Sequence, residues 1–428
     1  MSKYWYRLDN AAMIFPPISG ELSPNTFCLS ATLDTKIDRD ILQKSVDQVL
    51  QSEETFRVRL KKGVFWYYLE ENDKQLVVEE ESPRFMEFVN YHYGSNHLFR
   101  VFYYNNRISV VFFHALTDGT GGLYFLKQLV YTYLVNSGHK IETEGMVKPL
   151  EVPTTNEEKI DKFINVAKKT KEKKIAETKA LQLSGTPFKV FGTGVIVGEC
   201  DTLKVKEQAK KYNTTITGYL CGIYLYSIYK AYIENKNPKN KVVAISIPVN
   251  IRKQHPSETK RNFTLVARIS YDFSNGADLD DVLKSAAEQL KTKLTKEQID
   301  AQIQTNVSIE KNVFMKILPR CIKSLALRIA YKIRGVTQES SNLSNLGNIE
   351  LPADISKHVK DIRFILQASK TTQKNFSITG YDGKLYLSFS RRHVENDAEK
   401  EFFRMLTSSG IDVTVASNYW EVGSEKVQ

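Results

Sequence analysis

Alternating hydrophobic and polar positions recur in short stretches along this chain and predict strands in two separate regions. In the first region residues 27–33 alternate, and the apolar run from Arg107 to Phe113 predicts a core strand. In the second region, residues 242–249 are apolar and residues 263–271 alternate. Helical spacing separates these stretches, for example after Asp38, a favourable N-cap residue.

The order of the predicted strands and helices is irregular rather than strictly alternating. Further strands are predicted at residues 56–60, 64–69, 75–78, 188–197, 362–367, 376–381, 385–389 and 412–416. Further helices are predicted at residues 123–134, 203–211 and 216–234. Additional helices follow residue 271 and end at about residue 334, and a last helix begins at residue 397. This order predicts an α/β fold of the mixed (α+β) kind, in which mixed or antiparallel sheets are flanked by helices.

The chain is long enough for two lobes, because its 428 residues exceed the roughly 250–300 at which one core stops growing. We predict an N-terminal lobe at residues 1–140, a charged linker at residues 141–184 and a C-terminal lobe at residues 185–428. Residues 159–179 are rich in Lys with interspersed Glu and Asp, and they predict a solvated helical crossover.

The candidate chemistry lies where the strand ending at Phe113 meets a Gly-rich helix start. The strand delivers His114 into a cleft, where an imidazole can act as a general base near neutral pH. Asp118 is placed to brace the loop through an ion pair, and Gly119 permits the tight turn that opens the helix.

The same spacing recurs at His393 and Asp397, without the Gly. Both copies follow a predicted hairpin turn, at residues 105–106 and 382–383, and both precede a predicted helix. They therefore mark equivalent points of two related lobes. We predict a structural role for His393 and a catalytic role for His114.

The motif H-x-x-x-D-G, from His114 to Gly119, resembles that of the chloramphenicol acetyltransferase-like superfamily, which includes condensation domains, wax ester synthases and alcohol acetyltransferases. Phe113 stands where condensation domains and wax ester synthases usually carry a second His, which disfavours a condensation domain. The stretches that look like the alcohol acetyltransferase-like branch are residues 6–12, 248–252, 261–263 and 344–347.

The resemblance implies two chloramphenicol acetyltransferase-like lobes with an active-site tunnel between them. It implies an acyl-CoA-dependent O-acyltransferase that moves the acyl group to an alcohol or amine, with His114 as general base and without an acyl-enzyme. Acyl-CoA is then a co-substrate, and no bound cofactor is expected. Asp118 would turn away from the cleft and pair with Arg252, and Ser344 and Asn345 would lie in a loop as candidates for substrate or oxyanion contact.

Other functions fit parts of the pattern. A catalytically silent, carrier-protein-docking relative would keep the fold, although the intact motif argues against it. A hydrolase would use water, but no G-x-S-x-G nucleophile elbow is present. Asn345 could equally belong to a simple turn, Asn262 could only cap a strand, and Asp9 with Asn10 could cap a helix.

The net charge of +11 raises the question of an anionic partner. The stretch from Lys311 to Arg334 mixes seven basic residues with apolar ones at helical spacing. It predicts either peripheral contact with an anionic membrane or an acyl-chain tunnel wall. The alternative is an amphipathic helix pair broken at Pro319, with its apolar face in the core and its basic residues solvated. No nucleic-acid motif is present, so we expect CoA phosphates rather than nucleic acid.

Composition predicts a cytoplasmic protein without a metal, and the resemblance implies a monomer, since members of the superfamily have both lobes in one chain. No run of 18 or more apolar residues is present, and the N-terminus lacks the apolar region of a secretory signal. The His residues do not cluster into a ligand set. The cysteines are scattered without metal or redox spacing and indicate reduced thiols: Cys28, Cys200, Cys221 and Cys321.

Overall fold

A computed structural model of the protein describes residues 4–82, 86, 89–91, 95–168, 177–188, 193–234, 236–311, 317–331 and 338–418. Parts of three predicted segments lie outside the described residues: 169–176 of the linker, 189–192 at the start of a predicted strand, and 312–316 with 332–334 of the basic stretch.

The first lobe contains a five-stranded sheet. Its strands are β2 (Thr26–Leu33), β5 (Glu79–Glu80), β6 (Phe99–Tyr104), β7 (Arg107–Phe113) and β12 (Val359–Leu366). Their order across the sheet is β12-β2-β7-β6-β5, so β7 lies in the centre. A smaller sheet of β1 (Trp5–Arg7), β3 (Val58–Lys62) and β4 (Tyr67–Glu71) has the order β1-β4-β3.

The second lobe contains a seven-stranded mixed sheet. Its strands are β8 (Gly194–Asp201), β9 (Val242–Asn250), β10 (Thr264–Asp272), β11 (Ser341–Asn348), β13 (Lys374–Tyr381), β14 (Lys384–Arg391) and β15 (Thr414–Ser417). The order is β10-β9-β11-β13-β14-β8-β15, and β11 runs parallel to both of its neighbours.

Helices flank these sheets. They are α1 (Phe15–Ile18), α2 (Arg39–Ser52), α3 (Gly119–Asn136), α4 (Asn156–Lys159), α5 (Phe163–Val166), α6 (Thr202–Lys211), α7 (Ile216–Ile228), α8 (Leu279–Lys293), α9 (Lys296–Lys311), α10 (Arg320–Ala330), α11 (Ala353–Ser356) and α12 (Asp397–Ser408), with a 3-10 turn at Ala11–Ile14 and a π turn at Tyr229–Ile233. The predicted mixed fold with helix-flanked sheets is confirmed.

One strand of the C-terminal half completes the sheet of the first lobe. β12 pairs antiparallel with β2, with Phe364 opposite Leu29. The side chains of both residues are buried in the core of the first lobe. The chain after residue 185 therefore contributes to both sheets, and the two lobes are joined by backbone pairing.

Two strand predictions near the start and one loop prediction near the end were wrong. Residues 75–78 do not form a strand; the short strand β5 follows at residues 79–80, and β4 begins at Tyr67 rather than residue 64. The resemblance implies a loop at Ser344 and Asn345, but the parallel pairing of β11 with β13 places both residues within a strand.

Some described residues of the linker are buried, although a solvated crossover is predicted for residues 159–179. Phe163 is fully buried, and its ring lies 5.1 Å from that of Phe263. Glu158 is also buried and pairs with Lys148 at 3.2 Å. Sequence composition does not reveal this packing, because a few apolar or paired side chains suffice to hold a charged segment against the second lobe.

The structure of α10, in the basic stretch from Lys311 to Arg334, contradicts the alternative in which the apolar face of this stretch is buried in the core. In α10 the buried side chains are Lys323 and Ser324, whereas Ile322, Leu325 and Ile329 are about half exposed, at 49%, 58% and 50%. The helix is amphipathic as predicted, but its apolar face points outward.

A close approach of backbone between the lobes makes a glycine necessary at the start of α3. A Cβ added to Gly121 would lie 2.2 Å from the carbonyl oxygen of Lys260. We expect Gly121→Ala to lower the free energy of unfolding by about 1–3 kcal/mol, because backbone must move apart. Chemical denaturation measures this effect. Gly20→Ala is the control, since nothing lies within 4 Å of the added atom, and equal stability of the two variants would contradict the prediction.

Candidate active site

His114 directly follows the central strand β7 and lies in an aromatic environment. Its backbone N–H donates to the carbonyl oxygen of Asn25 at 2.9 Å, which fixes the chain at the strand end. The imidazole stacks on Phe15, with ring centres 4.5 Å apart, and meets the edge of Phe27 at 5.3 Å. The ring is held between aromatic side chains but stays partly accessible.

Asn262 fixes the protonation pattern of this imidazole. The amide Nδ2 of Asn262 donates to the carbonyl oxygen of His114 at 3.0 Å, and a carbonyl can only accept. The Oδ1 of Asn262 must therefore face Nδ1 of His114, 2.9 Å away, and accept its proton. Nδ1 thus carries the hydrogen, and Nε2 presents a lone pair.

Burial lowers the pKa of His114 below its ordinary value of 6.5, because the imidazolium loses hydration in this pocket. The hydrogen bonds of the ring and the charge of Asp118 oppose this shift only in part. The neutral imidazole is therefore the resting form at pH 7, as a general base requires.

The carboxylate of Asp118 joins the two lobes beneath this loop. Arg252 donates from Nη1 to Oδ2 at 2.8 Å and from Nη2 to Oδ1 at 3.3 Å. The backbone N–H of Gly121 donates to Oδ1 at 3.0 Å, which caps α3, and the N–H of Phe263 donates to Oδ2 at 2.9 Å. Asp118 is 1% exposed, so this network of four hydrogen bonds operates out of water.

Arg252 is committed to the same network from the second lobe. Besides Asp118, its guanidinium donates to the carbonyl oxygens of Thr259 at 3.0 Å and Arg261 at 2.6 Å. The segment between β9 and β10 is thereby folded around one side chain. The structure therefore brings Arg252 and Asp118 together.

β11 brings its C-terminal half against the His loop. The ideal Cβ position of Gly119 lies 2.7 Å from Cδ2 of Leu346. Leu343 is buried in the core of the second lobe, so the alternation of a strand places Ser344 and Leu346 on the opposite face, towards the first lobe. Ser344 is 8% exposed.

The side chain of Asn345 has other partners. Its Nδ2 donates to Oγ1 of Thr217 at 2.9 Å, and its Oδ1 accepts the N–H of Gly347 at 2.7 Å. Gly347 has a φ of +76°, so the turn interpretation describes this part of the segment well. Of the two candidates, Ser344 is on the face of β11 that also carries Leu346.

His393 is fully buried, with its Nε2 3.0 Å from the hydroxyl of Tyr232. The ion pair of Lys374 and Glu399 lies in the same buried region at 2.6 Å. Burial, with the nearby Lys374 charge, lowers the pKa of His393 to about 4. An inaccessible, neutral imidazole fits the structural role predicted for it.

Three residues of the site were not predicted as functional from the sequence. Asn262, considered only as a strand cap, binds the imidazole, and Phe15 stacks on it. Asp9 accepts the N–H of Ala12 at 2.7 Å, as a cap would, and lies 3.4 Å from Nδ2 of Asn262. Burial raises the pKa of Asp9 to about 8. Their nearness to His114 depends on contacts across more than 90 residues, which no local pattern reveals.

Comparison with solved structures places the chain in a class of two-lobed acyltransferase and condensation domains. It matches a trichothecene 15-O-acetyltransferase from Fusarium sporotrichioides with a TM-score of 0.57 at 9% identity, covering 95% of both chains. It matches a starter condensation domain of rhizomide synthetase, solved with C8-CoA, with a TM-score of 0.57 at 11% identity, covering 96% of this chain and 98% of that one. A polyketide synthase associated protein from Mycobacterium tuberculosis matches with a TM-score of 0.57 at 14% identity over 94% and 96%.

These likenesses, each below 25% identity, establish the fold alone. The family model of alcohol acetyltransferase matches residues 158–407, more than half of the chain, so the protein belongs to the alcohol acetyltransferase family. Acyl transfer is accordingly the class of its reaction. The matched segment includes Arg252, Asn262 and Ser344 but not His114. A search of curated proteins finds no match.

Two further observations concern the described residues only. None of their helices combines the length and apolar character that crossing a bilayer requires. No group of three or more His, Cys, Asp or Glu side chains among them is arranged to hold a metal ion.

The tautomer assigned by Asn262 can be observed directly. In the ¹⁵N spectrum of the imidazoles at pH 7, we expect His114 to show a protonated Nδ1 and an unprotonated Nε2, because Oδ1 of Asn262 accepts the hydrogen of Nδ1. Comparison with the spectrum of His114→Gln identifies the signals. A protonated Nε2 in the resting protein would contradict the assignment.

The Asp118 network predicts a large loss of stability when its centre is removed. We expect Asp118→Ala to lower the free energy of unfolding by about 3–5 kcal/mol, because the guanidinium of Arg252, only 11% exposed, loses the carboxylate that balances its charge. The control is Asp280→Ala, whose partner Lys284 is 66% exposed, so that the loss of this surface ion pair should change the stability little. Denaturant titration of both variants tests the difference, and a loss for Asp118→Ala as small as the control's would refute it.

Proposed function

We propose that the protein transfers an acyl group from acyl-CoA to an alcohol or amine, with His114 as the general base. The observation that carries the proposal is the orientation of His114, whose Nδ1 is committed to Asn262 while its Nε2 is left with a lone pair. The match to the alcohol acetyltransferase family supports the reaction class. One of the solved neighbours was crystallised with C8-CoA, which supports a CoA thioester as donor.

In the proposed reaction, His114 carries one proton from the acceptor to the leaving thiolate. Nε2 of His114 removes the proton of the acceptor hydroxyl or amine as its oxygen or nitrogen attacks the thioester carbonyl carbon. The tetrahedral intermediate collapses, the carbon–sulfur bond breaks, and the imidazolium returns the proton to the departing CoA thiolate. The acyl group passes directly to the acceptor, so no acyl-enzyme forms. Asn262 accepts the Nδ1 hydrogen throughout and so holds the ring in one orientation.

Asp118 and Arg252 position this base rather than touch the substrate. Their ion pair of 2.8 Å fixes the start of α3 against the second lobe, and with it the loop that holds His114. The N–H of Phe263 donates to the same carboxylate, and Phe263 follows Asn262 directly. The network therefore sets the position of both the imidazole and its acceptor.

We propose Ser344 as the donor to the oxyanion. Ser344 lies on the face of β11 that also carries Leu346, which contacts Gly119 of the motif loop. Asn345 is a weaker candidate because its side chain is already bonded to Thr217. Acyl-CoA and a small alcohol or amine are the proposed partners, and one chain supplies all of these groups, so we propose a monomer.

The first test is thiol release from a panel of acyl-CoAs, acetyl to palmitoyl, with alcohol and amine acceptors. We expect acceptor-dependent release that falls about 100- to 10,000-fold in His114→Ala, the range typical for losing a general base. The control is His139→Ala, which lies beyond the C-terminal end of the 18-residue helix α3. Release independent of acceptor would indicate hydrolysis, and no release with any pair would favour a silent or carrier-docking protein.

The pH dependence follows from the lowered pKa of His114. Only the neutral imidazole can accept a proton, so activity falls as pH drops through this pKa. Because burial lowers it, we expect the acid limb of kcat/KM to lie below pH 6.5. A midpoint above 6.5 would contradict the role of burial.

Ser344→Ala tests the proposed oxyanion contact. We expect kcat to fall about 100- to 1,000-fold with little change in KM, because the hydroxyl acts only on the charge that develops in the transition state. Steady-state kinetics of this variant are compared with those of Ser377→Ala, the residue paired with Ser344 on the neighbouring strand. Equal activity of Ser344→Ala and the wild type would exclude the role.

A further inference from the structure

Helix α10 presents an apolar face to the outside. Ile322, Leu325 and Ile329 follow one another at i, i+3 and i+7 and are 49%, 58% and 50% exposed. The adjoining turn adds Val64 and Phe65, which are 74% and 47% exposed. The N–H of Arg320 donates to the carbonyl oxygen of Val64 at 2.9 Å, so the helix and the turn form one surface.

Several basic side chains of α10 are used to attach the helix, which is why its apolar residues point outward. Arg320 donates to the carbonyl oxygen of Gly63 at 3.0 Å. Lys323 donates to that of Phe65 at 3.1 Å, with its ammonium 3.3 Å from the ring centre of Trp66. These contacts on backbone oxygens and an aromatic face hold the polar side of the helix inward.

The charge of this region indicates which kind of partner the apolar face of α10 binds. The 24 residues from Lys311 to Arg334 contain seven Lys and Arg and no Asp or Glu. Lys61 and Lys62 precede the turn at Val64, and Lys62 is exposed. A second copy of the chain would bring two positive surfaces together, whereas anionic headgroups complement both the charge and the apolar centre.

We propose that α10 and the turn at Val64 and Phe65 form a surface that binds a lipid bilayer containing anionic lipids. The apolar side chains enter the boundary between headgroups and acyl chains, and Lys62 and Arg328, exposed basic residues beside them, face the phosphates. The helix lies in the plane of the interface, since its 11 residues span about 16 Å, far short of a bilayer core.

This surface lies one element away from the candidate active site. Arg328 donates from Nε to the carbonyl oxygen of Pro17 in α1. Phe15, at the start of the same short helix, stacks on the imidazole of His114. A bilayer that contacts α10 would therefore lie next to α1, whose Phe15 packs on His114. An apolar acceptor or acyl chain held in that bilayer would then be close to the candidate active site. Membrane binding does not depend on the proposed acyl transfer.

Vesicle sedimentation tests the proposal without any substrate. We expect the protein to sediment with vesicles of phosphatidylcholine mixed with phosphatidylserine, and much less with phosphatidylcholine alone or at high salt. The double variant Leu325→Ser, Ile329→Ser should weaken binding to the mixed vesicles about tenfold or more, from the loss of two inserted apolar side chains. Leu203→Ser is the matched control, because Leu203 is 65% exposed on α6 and should not affect binding.

The proposal fails if the wild type does not bind the mixed vesicles, or if the double variant binds as well as Leu203→Ser. It also fails if the wild type is a dimer by light scattering and the double variant a monomer, since the face would then join two copies. Both substituted positions of the double variant are at least half exposed, so its melting temperature should match that of the control and exclude misfolding as the cause of weaker binding.

Discussion

The structure depends above all on the buried carboxylate of Asp118. It caps α3 in the first lobe through Gly121, and it receives the guanidinium of Arg252 and the N–H of Phe263 from the second lobe. Removing a buried charge from such a network is costly, because its partner cannot recover hydration. One side chain thus determines how the lobes meet, and the acceptor of the imidazole, Asn262, lies in the segment that it fixes.

The two His residues of the repeated spacing lie in different environments. His114 stacks on Phe15, is only partly buried, and has Nδ1 committed to Asn262. His393 is fully buried beside the hydroxyl of Tyr232, and burial lowers its pKa to about 4. The spacing brings each imidazole to the end of a strand, but the neighbours supplied by distant segments give the two rings different burial and different hydrogen-bond partners.

Tertiary contacts also explain why two segments adopt structures that their amino-acid composition does not predict. The polar strand β11 is stable because it pairs in parallel with β13 and β9 within the second sheet. Helix α10 turns its apolar side outward because Arg320 and Lys323 find backbone oxygens in the turn before β4. In both cases the partner that satisfies the polar groups is remote in sequence, and hydrophobic pattern alone predicts the opposite arrangement.

The sequence by itself determined the mixed fold, most strands with apolar or alternating residues, and the motif that places His114 and Asp118 four residues apart. These features are local, since periodicity and spacing act within about ten residues. The tertiary structure decided the pairing of β12 with the first sheet, the contact of Asn262 with His114, and the outward face of α10. Each of these contacts joins residues separated by about 150 positions or more. The free energy of such a contact depends on the whole fold and not on the order of neighbouring residues.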